Sequence, residues 1–334
     1  MAKAKKSPHK KRHSSAAHTK KENTHKSITI DESSLLEAES GIVISRFGQQ
    51  VDVADQDFTI IRCFIRKSMQ VPVVGDRAIF RRQKNLDTGV LVDLEERHSL
   101  LKRPTPHHGI KPVVANIDFI GLLLAPELGF SEMMLDRYLV AAEASQLAVW
   151  IIFNKWDLLS ESEQQVINER LNVYEKLNYP IYRISAKQGI GVTPLLKDIQ
   201  GKQLLLAGQS GVGKSTLIQY LFPDLEVTTS AISQTSGLGT HTTTASRLYK
   251  LNQETYLIDS PGVREFGLWH LEPEDIRQGF IEIATTGEQC KFRDCKHLNE
   301  PGCAVLAAHK NQEIAHTRLK NYHHLIQHFD QIFT

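Results

Sequence analysis

The sequence predicts a multidomain chain: an N-terminal all-β barrel of the OB-fold type, a central α/β domain, and a small C-terminal α domain. Three observations predict it. Short strands with turn signals fill residues 38–96. An apolar strand, Leu204–Ala207, then runs into Gly208-Gln209-Ser210-Gly211-Val212-Gly213-Lys214-Ser215-Thr216, with helical spacing after it. Finally, Cys290, Cys295, His297 and Cys303 cluster near the C-terminus. The expected boundaries are 1–34 for a tail, 35–108 for the barrel, 109–283 for the α/β domain and 284–334 for the last domain.

The net charge of +2 conceals an uneven distribution. Residues 1–27 hold nine Lys/Arg against a single acid, Glu22, and are poor in apolar residues, so a disordered basic tail is expected. The remaining 307 residues are mildly acidic, with 31 basic against 37 acidic side chains. A basic arm on an acidic body points to an anionic partner, most often nucleic acid. No run of 18 apolar residues occurs, so no membrane span is expected, and no apolar segment follows the Lys-rich start. Clustered cysteines in such a chain read as metal ligands rather than disulfides, and a cytoplasmic monomer is the expectation.

The barrel strands are read at 41–45, 50–53, 58–65, 76–82 and 89–94, punctuated by Gly48, Val74-Gly75-Asp76 and Asp87-Thr88-Gly89. Arg62, Arg66, Lys67, Arg77, Arg81 and Arg82 supply charge with which such a barrel could grip RNA. Residues 97–112, with Pro104, Pro106 and Pro112, read as a linker. Strands and helices then alternate: strand within 113–125, helix 131–146, strand 147–153, helix near 160–177, strand 180–184, helix 193–199 and strand 203–207. Two more strands are expected near 246–251 and 255–259.

The stretch Gly208–Thr216 has the phosphate-loop form, and glycines let backbone N–H groups converge on phosphate oxygens at a helix start. Lys214 then reaches the outer phosphates and Ser215 is placed to ligate Mg²⁺. Asn154-Lys155-Trp156-Asp157 follows a strand and reads guanine, because the Asp157 carboxylate accepts from the ring N–H and the exocyclic amine. Asn154 fixes the loop and the Lys155 stem lies along the ring. Ser185-Ala186-Lys187 fits the second base loop, where a backbone N–H meets the guanine oxygen. Asp259-Ser260-Pro261-Gly262 has the D-x-x-G form, with Asp259 for Mg²⁺ and the Gly262 N–H for the γ-phosphate. Between the phosphate loop and Asp259 lies a Gly/Thr-rich switch, Ser236–Thr244, in which Thr243, ahead of Thr242, is the candidate to complete the Mg²⁺ shell.

The order is unusual: both base-reading loops precede the phosphate loop. The same sheet forms if old termini are joined and new ones opened, so a circularly permuted GTPase domain binding GTP and GDP is expected. Three thiolates and an imidazole in Cys290-x₄-Cys295-x-His297-x₅-Cys303 suit one tetrahedral structural Zn²⁺, with His309 as rival fourth ligand. Arg318–His328 reads as a basic amphipathic helix used for packing.

These residues together resemble the bacterial ribosome small-subunit-dependent GTPase A family. The resemblance rests on Gly208–Thr216, Asn154–Asp157, Gly239-Thr-His-Thr-Thr243, Asp259-Ser-Pro-Gly-Val-Arg-Glu-Phe266 and the Cys₃His set, and covers about residues 38–330. It implies an OB domain, a permuted GTPase domain and a zinc domain. It further implies slow intrinsic GTP turnover, stimulated by the small ribosomal subunit and its rRNA late in subunit maturation. Val263 stands where many GTPases carry a glutamine that orients water, and an aliphatic side chain cannot do so. By resemblance His241 supplies that function, and it is the titratable group of the Gly/Thr-rich switch. The rival reading is a nucleotide-gated RNA-binding module in which hydrolysis is incidental.

Overall fold

The structure, a computed structural model, describes residues 32–66, 68–105, 109–126, 129–223, 246–260 and 271–329. It divides into Met1–Ser34, whose described residues form a short 3-10 turn at Glu32–Ser34, and Leu35–Thr334.

Five strands make the barrel: β1 (Leu35–Phe47), β2 (Gln50–Ala54), β3 (Ile60–Ile65), β4 (Arg77–Gln83) and β5 (Thr88–Leu94). They close in the order β1-β2-β3-β5-β4, with β3 and β5 parallel, the topology of an OB-fold. Alternation decides what fills it. Val51, Val53, Ile61, Cys63, Ala78, Phe80 and Leu91 point inward, and burying Phe80 alone contributes about 2–3 kcal/mol. The arginines expected to grip RNA are largely engaged within the protein. Arg62 pairs with Asp52, Arg82 reaches Glu39 and Asp55, Arg81 donates to the Leu36 carbonyl, and Arg77 lies over the Tyr256 ring. Lys67 lies outside the described residues.

Residues 97–112 are not a linker. Strands β6 (Leu100–Thr105) and β7 (Gly109–Ala115) pair antiparallel, with a register shift at Leu101/Lys102 opposite Pro112. Proline is tolerated here because a two-stranded ribbon has only edge strands, so the missing N–H breaks no inner ladder.

The α/β part follows the expected alternation: β8 (Phe119–Leu124), α1 (Glu132–Ala144), β9 (Ala148–Phe153), α2 (Glu161–Lys176), β10 (Ile181–Arg183), α3 (Val192–Asp198), β11 (Gln203–Ala207), α4 (Lys214–Leu221), β12 (Arg247–Lys250) and β13 (Tyr256–Asp259). The sheet runs β10-β9-β8-β11-β13-β12, parallel except for the edge pair β12–β13. The period of two along β11 assigns its faces. Leu205 and Ala207 join the core under α1 and α2, whereas Leu204 and Leu206 join the one under α3 and α4. Helix starts are written locally: Ser160 and Glu163 form a capping box ahead of α2, and the Ser131 hydroxyl accepts the Met134 N–H ahead of α1. Because β9, β10, β11 and β13 are parallel, the loops after them meet at one edge of the sheet.

Barrel and sheet share one core that includes Ile42, Ile44, Val74, Val114 and Ile120. The Arg97 guanidinium clamps the fully buried Asp76 carboxylate at 2.6 and 2.8 Å, and Asn116 Nδ2 donates to the Gly75 carbonyl at 3.0 Å. The C-terminal part holds α5 (Pro273–Gly279), α6 (Ile281–Gly287), α7 (Ala304–Lys310) and α8 (His316–Gln327). It packs on Val140 and Ala141 of α1.

Candidate nucleotide site and metal centre

Two glycines shape the phosphate loop. Gly208 has φ 131°, and a Cβ there would lie 2.4 Å from the Leu123 carbonyl oxygen. Gly213 has φ 96°, and a Cβ would meet Asn154 Nδ2 at 2.2 Å. Only glycine meets both demands. Lys214, the first residue of α4, is buried, and its ammonium donates to the Gly208 and Gln209 carbonyls at 2.6 and 2.7 Å. The cation is thus held over the loop, where an anion would meet it. Ser215 and Thr216 are exposed in the first turn of α4.

Asn154, at the end of β9, ties three loops together. Its Nδ2 donates to the Val212 carbonyl of the phosphate loop at 2.9 Å, and its Oδ1 accepts the Ala186 N–H at 2.9 Å. The side chain is buried, so both bonds lie away from competing water. Backbone links reinforce the pairing of the Asn154 and Ser185 loops: the Trp156 N–H donates to Ile184 O and the Ile184 N–H to Phe153 O. Lys155 adopts the left-handed conformation, φ 60°, which turns the chain sharply into the 3-10 turn Trp156–Leu158. Asp157 is half-buried in that turn, and its Oδ2 accepts from Gln188 Nε2 at 3.0 Å.

Asp259 ends β13 beside Leu206 of β11, next to the phosphate loop. Its Oδ1 is buried and accepts no hydrogen bond among the described residues. A hard carboxylate oxygen there, with the Ser215 hydroxyl, fits the oxygen donor set of Mg²⁺. Ser246 and Ser260 share a hydroxyl–hydroxyl bond of 2.6 Å across the β12–β13 pair. His241, Thr243 and Gly262 lie outside the described residues, as do Thr242 and Val263.

The four C-terminal residues come together as the spacing predicts. The ligand atoms of Cys290, Cys295, His297 and Cys303 all lie within 4.8 Å of one another. His297 Nδ1 is 3.5 Å from Cys290 Sγ and 3.4 Å from Cys303 Sγ, and those two sulfurs are 3.9 Å apart. Tetrahedral Zn–S and Zn–N bonds imply edges of about 3.8 Å (S···S) and 3.6 Å (S···N), so the donor set fits zinc. His309 is not part of it: its Nδ1–H donates to the Ile314 carbonyl at 3.0 Å. Burial opposes ionisation of Cys290, but backbone N–H groups of Ala304 and Val305 outweigh it and draw its pKa below the ordinary thiol value. Glu300 braces the loop. Its carboxylate accepts the N–H groups of Lys296, Leu298 and Asn299 at 2.8–3.0 Å, which override partial burial and hold its pKa at about 2.

Sequence reasoning missed two side chains that organise these sites. Gln188 carried no signal beyond following Ser185–Lys187. Glu300 was detectable as an acid inside the Cys/His spacing.

The family profile described as RsgA GTPase matches residues 94–269. The chain is 42% identical over 340 residues to the small ribosomal subunit biogenesis GTPase RsgA of Pectobacterium atrosepticum, covering 99% of this chain and 97% of that protein. The same identity and coverage relate it to RsgA of Yersinia pseudotuberculosis. Among solved structures, YjeQ from Thermotoga maritima superposes with a TM-score of 0.71 at 32% identity, covering 87% of this chain and 98% of that one. YloQ, described as a circularly permuted GTPase, gives 0.70 at 26% identity, covering 88% and 96%. The chain carries a phosphate-loop motif that follows the Asn154 and Ser185 loops in sequence yet joins them through Asn154, behind an OB barrel and ahead of a Cys₃His cluster, and by the family match and the 42% identity it belongs to the RsgA GTPase family.

Proposed function

We propose that this chain hydrolyses GTP to GDP and phosphate in small ribosomal subunit biogenesis, with turnover stimulated by the subunit and rRNA. It holds the maturing subunit while GTP is bound and leaves after hydrolysis. The observation that carries this reading is Asn154, which bonds the phosphate loop at Val212 and the second base loop at Ala186. One side chain therefore couples recognition of the base to the cradle of the phosphates.

In this reading Asp157 accepts from the guanine N1–H and exocyclic amine, the Lys155 stem lies along the ring, and an N–H of Ser185–Lys187 meets the guanine oxygen. Backbone N–H groups of Gly208–Thr216 cradle the phosphates, and Lys214 moves from its loop carbonyls to the outer phosphates. Ser215, Thr243 and Asp259 would hold Mg²⁺, which offsets the phosphate charge when bound with the nucleotide. The Gly262 N–H senses the γ-phosphate, and His241 orients the attacking water in place of the glutamine that Val263 replaces. Cys290, Cys295, His297 and Cys303 hold one structural Zn²⁺, since all four positions are filled by protein atoms. We place its action on ribosomal subunits in the cytoplasm, as a monomer; among the described residues no helix is long and apolar enough to cross a membrane.

GTP turnover titrated with purified small subunits tests the reading, comparing the full chain, one lacking residues 1–27, and His241→Ala. Strong stimulation that His241→Ala abolishes is expected. Turnover indifferent to subunits, with GTP-dependent RNA binding retained, would favour the nucleotide-gated binding module instead.

A further inference from the structure

We infer that Gln188 is a positioning residue for guanine discrimination: it holds the Asp157 carboxylate in the plane needed to read the base. The inference rests on the base-reading role of Asp157 proposed above. Among the described residues, Gln188 is the side chain that hydrogen-bonds this carboxylate, through Nε2 to Oδ2 at 3.0 Å. Asp157 is half-buried at the rim of the site, where water would otherwise let the carboxylate rotate. Each carboxylate oxygen has two lone-pair sites, so Oδ2 can keep the amide while it accepts from a base.

The backbone of Gln188 is itself anchored. The Gln188 N–H donates to the Ser185 carbonyl at 3.2 Å and to Ser185 Oγ at 3.3 Å, and the Ser185 N–H closes the turn onto Ile190 O at 2.9 Å. The next residue, Gly189, is covered by Tyr220 of α4, so closely that a Cβ there would lie 2.5 Å from the tyrosine hydroxyl. The turn is therefore wedged between the base loop and the helix that begins at Lys214. Gln188 is exposed and contributes nothing to a core, so its replacement leaves the fold intact.

Discrimination between GDP and inosine diphosphate, which lacks the exocyclic amine, reads the orientation of the Asp157 carboxylate. Affinities for GDP, inosine diphosphate and xanthosine diphosphate should be measured for the full chain and for Gln188→Ala, Gln188→Glu, Gln188→Lys and Asp157→Asn. Gln188→Ala should weaken GDP by about fivefold to tenfold, the net worth of one ordinary hydrogen bond, and narrow the GDP preference over inosine diphosphate. Gln188→Glu sets like charges together and should do worse. Gln188→Lys restores an N–H donor and should recover the preference. Equal losses for both nucleotides, or GDP affinity within about twofold of wild type in both Gln188→Ala and Gln188→Glu, overturn the positioning role. Asp157→Asn separates the two ideas: a switch toward xanthosine diphosphate upholds base reading whatever Gln188 does, and no switch means that base reading itself is wrong.

Discussion

Arg318 Nη1 donates to Asp136 Oδ1 at 2.7 Å, with both side chains fully buried although they stand 182 positions apart in the chain. The guanidinium also forks onto Glu282 at 2.7 and 2.8 Å and stacks over Phe280, while Tyr174 and Asn321 donate to the same Asp136 carboxylate. Burial pushes the Asp136 carboxyl up, and Arg318 with its neighbours opposes that push. One cation thus joins α1 and α2 of the α/β part to α6 and α8 of the C-terminal part.

Truncating this pair should cost more than any surface ion pair. Arg318→Ala leaves the buried Asp136 carboxylate without its cation, with Tyr174 and Asn321 still donating to it, and a loss of about 3–5 kcal/mol is expected in denaturant unfolding. The double variant Asp136→Leu/Arg318→Met should recover much of the loss. Additive single-variant losses in the double would show that the pair is not coupled.

Removing the metal should destabilise the C-terminal part, because binding free energy at such a site is folding free energy. One zinc per chain is expected by elemental analysis of the purified protein. Cys290→Ser or Cys303→Ser should abolish it and lower the thermal midpoint, as should chelation. His309→Ala should retain a full equivalent, since that ring is engaged with Ile314.

Asn154→Ala strands the Val212 carbonyl and the Ala186 N–H, both bonded by this one buried side chain. Each unsatisfied group costs about 1–3 kcal/mol. Nucleotide affinity should fall by about 10²-fold or more in isothermal titration. Asn154→Asp should fare little better than alanine, because a carboxylate accepts from Ala186 but cannot donate to Val212.

A pH dependence follows from Glu132. Partial burial opposes its charge, but the Arg170 guanidinium, which forks onto its carboxylate, holds its pKa below the usual value of 4.5. A carboxyl depressed in the folded state stabilises it above the unfolded pKa, and that contribution fades as pH falls below 4.5 toward the folded value. Wild type should therefore exceed Glu132→Gln in stability at pH 7, and the gap should shrink in acid. A gap that stays constant down to pH 3 would place the contribution in packing of the arginine on Phe130 instead.

What the sequence determined by itself was everything carried by short-range pattern. Alternation along residues 41–94 marks the barrel strands, and the loops at Asn154, Ser185, Gly208 and Asp259 follow their strands wherever permutation puts them. The Cys/His spacing likewise needs few residues, so its ligands are legible. Tertiary structure alone decided the long-range pairings. It turned the proline-bearing stretch after the barrel into a ribbon by pairing β6 with β7. It spent the barrel arginines on Asp52, Glu39 and Asp55, and buried Arg318 of an outwardly basic helix against Asp136. The physical reason is that a charge or amide takes its role from the partner that folding brings within 3 Å, and neither local propensity nor spacing encodes a partner that far along the chain.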